Sequence, residues 1–216
     1  SGSTGQPKGA LIEHRQVVRL MENDRSPFDF GSDDVWSLFH STCFDFSVWE
    51  MYGALLFGGR LVVVDSETTR DPDRFADQLI ADGITVLNQT PSAFRQLDAA
   101  LARRGYPALA LRQVIFGGEA LAPLILQKFS VAYPHIALIN MYGITETTVH
   151  VTHHRITADD ITMDRPIIGQ PLPTTTTLVL DQRQNLLPLG VAGEICVGGE
   201  GLARGYLNRP ELTREK

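Results

Sequence analysis

Five short apolar runs rich in β-branched residues stand along the first two thirds of the chain, at residues 35–39, 61–64, 84–87, 114–116 and 136–139. None alternates cleanly with polar residues, and a strand that is apolar on both sides has to be covered on both faces, as strands of a parallel sheet are. Between the runs lie longer segments at 47–57, 72–81, 92–103 and 123–132, whose apolar residues recur at helical spacing. Asp71 before Pro72 supplies a cap and a helix start, and Gly83 follows the same helix as a stop. Strand and helix in repeated alternation predict right-handed crossovers, and with them an α/β fold with a flavodoxin-like, doubly wound, mostly parallel sheet. Upstream, apolar positions within 16–21 predict a short amphipathic helix after an extended stretch at 10–12.

Past residue 156 the helical spacing stops. Residues 159–173 read as a polar, proline-containing connection without an element of its own. Two β-branched runs follow, at 174–180 and 194–197, separated by Asn185 and Gly190, and they predict antiparallel strands of a small β-barrel-like subdomain. The four threonines at 174–177 read as an ordinary strand start. The expected division is therefore 1–155, an α/β subdomain, and 156–216, a β-rich one. The chain opens without Met inside a glycine-rich motif and stops without a terminal element, which predicts a piece partial at its N-terminus and truncated at its C-terminus.

With 43% apolar and 20% charged residues, 216 residues suffice for a sizeable core. A formal charge of −6 with scattered Lys and Arg gives no footprint for nucleic acid, Arg103 and Arg104 being the only adjacent basic pair. No apolar run reaches the roughly 18 residues of a membrane span. Cys43 and Cys196 have neither metal nor redox spacing, so a packing role for both and a reducing, cytoplasmic compartment are expected.

Candidate chemistry begins at the first ten residues, SGSTGQPKGA. Gly2, Gly5 and Gly9 let successive N–H groups converge on an anion, Ser1, Ser3 and Thr4 add hydroxyls, and Lys8 adds a mobile positive charge. A Walker A loop would place Ser or Thr after the lysine, where this chain has Gly9. In an open parallel sheet, ligands bind beyond the carboxyl ends of the strands, which singles out 41–47 (STCFDFS), 88–92 (NQTPS), 117–120 (GGEA) and 140–146 (NMYGITE). No Gly-x-Ser-x-Gly elbow is present, and no His-Glu-x-x-His surrounds His150, His153 and His154, the last two of which read as packed or exposed strand histidines. Among the acidic residues Asp45 and Glu146 stand out, each at a predicted strand end.

SGSTGQPKGA, FDFSVWEMYGALL, NMYGITETTV and GEICVGGEGLARGYLNRPELT together resemble, in order and spacing, the core motifs of the adenylation domains of nonribosomal peptide synthetases. These domains belong to the superfamily of acyl-CoA synthetases and luciferases, and the resemblance covers nearly the whole chain. It implies ATP- and Mg²⁺-dependent activation of an amino acid as its adenylate, then transfer to a phosphopantetheine thiol on a peptidyl carrier domain, with condensation domains as further partners. By the same resemblance Ser3, Thr4, Gly5 and Lys8 hold the β,γ-phosphates, Thr145 the α-phosphate and Glu146 the Mg²⁺, Tyr142 stacks on adenine, and Gly118, Glu119 and Asn140 line the base pocket. Without it, Tyr142 reads as a core aromatic and Asp45 as a helix N-cap.

The family's amino-acid pocket falls on Asp45, Phe46, Trp49, Asn88, Ile115, Gly117, Met141, Val149 and His150, with Asp45 pairing the substrate ammonium. Apolar walls with hydrogen-bonding groups at Asn88 and His150 fit a side chain bearing a methyl and a hydroxyl, and the set resembles the family's threonine-type pattern. Departures are Ile144 where the family has proline, and the absence of the family's ribose-binding TGD motif and C-terminal catalytic lysine, so the piece is expected to be inactive alone. Two alternatives stand beside this reading. An acyl- or aryl-CoA ligase would leave Asp45 without a cationic partner, at a desolvation cost, and a flavodoxin-like module could bind a nucleotide or flavin without chemistry.

Overall fold

The computed structural model describes residues 8–23 and 25–215. Two compact units emerge, and neither is contiguous in sequence: one is Ser1–Pro27, Gly143–Val151 and Pro171–Lys216, the other Phe28–Tyr142 and Thr152–Gln170.

The second unit contains the parallel strands β1 (Val35–Leu38), β2 (Arg60–Val63), β3 (Val86–Gln89), β4 (Gln113–Phe116) and β5 (Ala137–Tyr142), and the antiparallel β6 (Thr152–Arg155). With β7 (Gln170–Pro171) the sheet order is β2-β1-β3-β4-β5-β6-β7, the doubly wound arrangement in which the order reverses beside β1. Each predicted parallel strand is present. The third begins two residues later than its apolar run, because Ile84 is spent on the turn after the preceding helix, and Asn88 and Gln89 fall inside the strand.

Helices α2 (Phe46–Leu55), α3 (Pro72–Ala81) and α4 (Pro91–Arg103) form where the spacing predicts. Asp71 caps α3 by accepting from the N–H groups of Asp73 and Arg74, and Thr90 caps α4 by accepting from Ala93. The stretch at 123–132 is split into a 3₁₀ turn, Pro123–Leu126, and α5 (Gln127–Ala132). The expectation of a structureless connection at 159–173 is corrected: α6 (Ala158–Thr162) forms because the Thr157 hydroxyl accepts from the Asp160 N–H, while Asp160 in turn accepts from the Thr157 N–H and hydroxyl.

Parallel register puts alternate residues of adjacent strands on a common face. Leu87, Val114, Phe116 and Leu138 face α3, α4 and α5 and form the main core with Phe75, Leu79, Phe94 and Phe129. Asn88, Ile115, Ile139 and Met141 share the opposite face. There α2 lies so close that a Cβ on Gly53 would meet Trp36 at 2.3 Å.

In the other unit, the two predicted β-branched runs pair antiparallel as β8 (Thr175–Leu180) and β9 (Glu194–Gly199), so the β-barrel-like element is present as two strands. Helix α1 (His14–Met21) is tied to the segment after β9, Gln16 donating to the Leu202 carbonyl, while Arg19 donates to Thr175 Oγ1 at 3.0 Å. A short α7 (Pro210–Glu215) follows. Among the described residues no helix is long and apolar enough to cross a membrane.

Candidate functional site

In the sheet unit, the candidate residues gather at the carboxyl ends of the parallel strands. Asp45 stands at the N-cap of α2 but makes no capping bond, so its half-buried carboxylate is not consumed by the helix as an N-cap reading requires. Phe46 and Trp49 are buried on the next turn. Trp49 packs edge-on against Phe28 and Phe30, at 5.4 and 5.8 Å between centroids, and its indole N–H donates to Asn88 Oδ1 at 3.0 Å. Ile115 is the register partner of Asn88, and Met141 lies on the same face two residues beyond Ile139, so Trp49, Asn88, Ile115 and Met141 are brought together. The Asn88 amide nitrogen is buried and has no hydrogen-bond partner among the described residues.

Gly117 follows β4 and is buried. Gly118 has φ +79, and a Cβ there would come within 2.9 Å of Phe44. Glu119 is exposed, and its carboxylate accepts from the Ser92 N–H and hydroxyl at 3.1 and 2.6 Å, which ties the loop after β4 to the first turn of α4. Asn140 lies inside β5, on the face opposite Met141, and donates to the Ile167 carbonyl at 2.9 Å. Tyr142 ends β5 at 37% exposure, which corrects its reading as a core aromatic. The strand histidines are half-buried: His154 contacts Asp160 at 2.9 Å, and burial holds His153 below its ordinary pKa. Both cysteines are free, but Cys43 is exposed, so a packing role is corrected for it.

In the other unit, Thr145 and Glu146 form a 3₁₀ turn, Thr145–Thr147, with Thr145 exposed and Glu146 half-buried. Thr148 and Val149 then adopt φ +60 and +62, a strained backbone for a β-branched residue, and the His150 N–H closes onto the Thr148 carbonyl at 2.7 Å. A Cβ on Gly143 would sit 2.2 Å from the Val149 carbonyl oxygen, so only glycine fits beside this turn. His150 is buried, and desolvation holds its pKa at about 3, so its ring is neutral. Glu146 Oε1 accepts from the Tyr206 hydroxyl at 2.5 Å, and this bond with burial pushes the phenol up to about 12. Lys8 Nζ lies 5.4 Å from the centre of the same ring. Ser3, Thr4 and Gly5 lie outside the described residues.

Sequence reasoning missed three groups. Tyr206 stands within a recognised motif, but only its contact with Glu146 gives it a task. Glu50 and His40 form a buried pair beside the loop after β1, Glu50 Oε1 meeting His40 Nδ1 at 2.9 Å. The signal available was a charged residue on the apolar α2.

A doubly wound α/β sheet takes its ligands beyond the carboxyl ends of its strands, and within the sheet unit small and polar residues stand there. A model of the AMP-binding enzyme family matches residues 1–207, and the chain belongs to that family. It is 56% identical to a plipastatin synthase of Bacillus subtilis (strain 168), covering 100% of this chain and 8% of that protein. It is 47% identical to syringomycin synthase SyrB1 of Pseudomonas syringae pv. syringae, covering 100% of this chain and 36% of that one. Among solved structures it matches, at TM-score 0.89 and 31% identity, a holo nonribosomal peptide synthetase protein containing adenylation and PCP domains bound to a vinylsulfonamide inhibitor, over 100% of this chain and 37% of the other. The chain thus spans well under two thirds of each of these proteins.

Proposed function

We propose that the chain carries nucleotide- and amino-acid-binding residues of an amino-acid-activating enzyme of nonribosomal peptide synthesis. The substrate carboxylate attacks the α-phosphorus of ATP, the bond from that phosphorus to the bridging oxygen breaks, and aminoacyl-adenylate and pyrophosphate result. The aminoacyl group then passes to the phosphopantetheine thiol of a carrier domain, with a condensation domain as the next partner. The observation that carries this reading is the family match across 1–207, in a chain whose strand-end loops bear the expected residues. The free cysteines fit a cytoplasmic setting.

Lys8, with Ser3, Thr4 and Gly5, binds the β,γ-phosphates, Thr145 orients the α-phosphate, and Tyr142 offers its exposed ring to adenine beside Gly118, Glu119 and Asn140. Asn140 spends one of its two amide N–H groups on the Ile167 carbonyl, which leaves the second N–H and the side-chain carbonyl for the base pocket. Mg²⁺, when bound, neutralises phosphate charge during the transfer. Among the described residues no three His, Cys, Asp or Glu converge on one point. One half-buried carboxylate, Glu146, fits a hard cation that takes its other oxygens from substrate phosphates and water.

The amino acid is threonine in this reading. Asp45 makes no capping bond and can pair with the ammonium, Trp49, Ile115 and Met141 supply apolar wall, and the Asn88 amide nitrogen is a buried donor that has no acceptor among the described residues and suits a hydroxyl. Phe46, Gly117, Val149 and His150 complete the set by resemblance. Losing one methyl costs a substrate about 1–3 kcal/mol, while leaving a buried donor unpaired costs far more in selectivity. Pyrophosphate exchange by the full protein that carries this chain, with threonine, serine, valine and allo-threonine, tests it: threonine leads, serine follows, and valine is rejected most strongly. A lead for valine or for an aromatic amino acid refutes the threonine assignment.

A further inference from the structure

The segment 201–207 is held along both sides within its own unit. On one side Ala10 bridges Tyr206 antiparallel, with Leu207 N–H donating to the Gly9 carbonyl at 2.7 Å, Leu11 N–H to Gly205 at 2.9 Å and Arg204 N–H to Leu11 at 2.9 Å. On the other side Ala203 N–H donates to the Glu146 carbonyl at 2.7 Å, and Thr148 Oγ1 donates to the Gly201 carbonyl at 2.8 Å. The stretch that follows the glycine-rich loop and the turn that carries Glu146 are therefore joined through one splint. Tyr206 lies near its C-terminal end, its own N–H donating to Thr213 Oγ1 at 2.8 Å. Its side chain repeats the bridge, with the hydroxyl on Glu146 Oε1 at 2.5 Å and the ring face 5.4 Å from Lys8 Nζ.

We propose that Tyr206 is a positioning residue for ATP and Mg²⁺ binding: its hydroxyl fixes which oxygen of Glu146 faces the metal, and its ring holds the Lys8 ammonium within reach of the phosphates. This rests on the reading of Glu146 and Lys8 given above. A donor to one oxygen of a carboxylate leaves the other as the metal ligand and fixes the rotamer, and a ring face attracts an ammonium within about 6 Å. The two halves of the contact separate by substitution. Tyr206→Phe keeps the ring and loses the hydroxyl, whereas Tyr206→Leu loses both.

The test uses the full protein that carries this chain, with Tyr206→Phe, Tyr206→Leu and Glu146→Gln. Measurements are the Mg²⁺ and ATP dependence of pyrophosphate exchange, calorimetric binding of ATP with Mg²⁺ in the absence of amino acid, and the ligand-free melting midpoint. Tyr206→Phe is expected to raise the Mg²⁺ requirement about tenfold, with KM for the amino acid and the melting midpoint unchanged. Tyr206→Leu is expected to weaken ATP binding further. Should Glu146→Gln shift the Mg²⁺ requirement while Tyr206→Phe leaves it and the calorimetric affinity untouched, the inference fails and the reading of Glu146 stands. Should Glu146→Gln shift nothing, both fail. A lowered melting midpoint for Tyr206→Phe with equal losses for ATP and amino acid also overturns the inference, because the contact is then only structural.

Discussion

The indole N–H of Trp49 donates to the side-chain carbonyl of Asn88 at 3.0 Å in a fully buried setting, and because an indole can only donate, the bond fixes which end of the amide is oxygen. The amide nitrogen is thereby aimed away from Trp49 as a donor. Asn88→Leu takes the acceptor from a buried N–H, which costs about 1–3 kcal/mol, and removes the donor that a substrate hydroxyl would meet. Chemical denaturation should show that loss of stability, and, on the threonine reading proposed above, exchange assays with the full protein should show discrimination between threonine and valine collapsing. If the preference survives in the variant, Asn88 does not read the hydroxyl.

A second buried polar group governs the opposite end of the sheet. Asp34 lies just before β1, where its carboxylate accepts from Arg112 Nε and Nη2, both at 2.6 Å, from the Gly31 N–H and from the Thr85 hydroxyl. Burial pushes Asp34 up, but Arg112, the Gly31 N–H and Thr85 outweigh it and hold the carboxyl below its ordinary range. A depressed carboxylate adds stability that is complete above its unfolded pKa and is lost as pH falls through its folded value. Arg112→Ala should therefore cost about 3 kcal/mol near neutral pH by stranding a buried charge. The cost should shrink as acid protonates Asp34 in both proteins, as urea midpoints measured across the acid range would reveal. A cost independent of pH would place the effect in packing by the Arg112 stem.

Much of this was legible in the sequence, and the reasons are physical. Apolar runs located five strands, and the Asp71 cap announced its helix, because both signals are local, whereas the cap that Thr90 provides for α4 emerged only in the structure. Strand ends were less legible: Asn88 and Asn140 lie inside strands, since a polar residue can be buried there once a neighbour bonds it, as Trp49 and Ile167 do. The threonine-capped turn at Ala158–Thr162 was hidden by its brevity. Tyr206 and Glu146 are 60 residues apart, and no local pattern reports a partner at that distance.

Gly143 offers a purely steric prediction. Thr148 and Val149 at positive φ turn the chain back so that the Val149 carbonyl faces Gly143, where an added methyl would stand 2.2 Å from the oxygen. The obstacle is backbone already held in an unfavourable conformation, so it cannot yield cheaply. Gly143→Ala should destabilise by about 2 kcal/mol or more, and in the full protein it should impair ATP-dependent exchange by displacing Thr145 and Glu146. A melting midpoint and activity equal to those of the parent would mean that the turn relaxes freely.

Glu50 lies fully buried on α2, its Oε2 accepting from the N–H groups of Phe39 and His40 at 3.2 and 3.1 Å and its Oε1 meeting His40 Nδ1 at 2.9 Å. Burial raises its pKa, opposed by His40 and the two N–H groups without being cancelled. A carboxyl raised in this way holds its proton more tightly folded than unfolded. Its contribution is complete below the unfolded pKa and is lost as pH rises through the folded value. Glutamine at this position has the same shape, keeps a carbonyl for the two N–H groups, offers an N–H to His40 and carries no charge at any pH. Stability measured by urea titration from about pH 4 to about pH 8 should therefore fall in the parent relative to Glu50→Gln, the difference growing toward the alkaline end. The reverse slope, with the parent gaining on the variant as pH rises, would show that Glu50 is ionised and paired with a protonated His40, so that α2 is anchored to the loop after β1 by a buried ion pair.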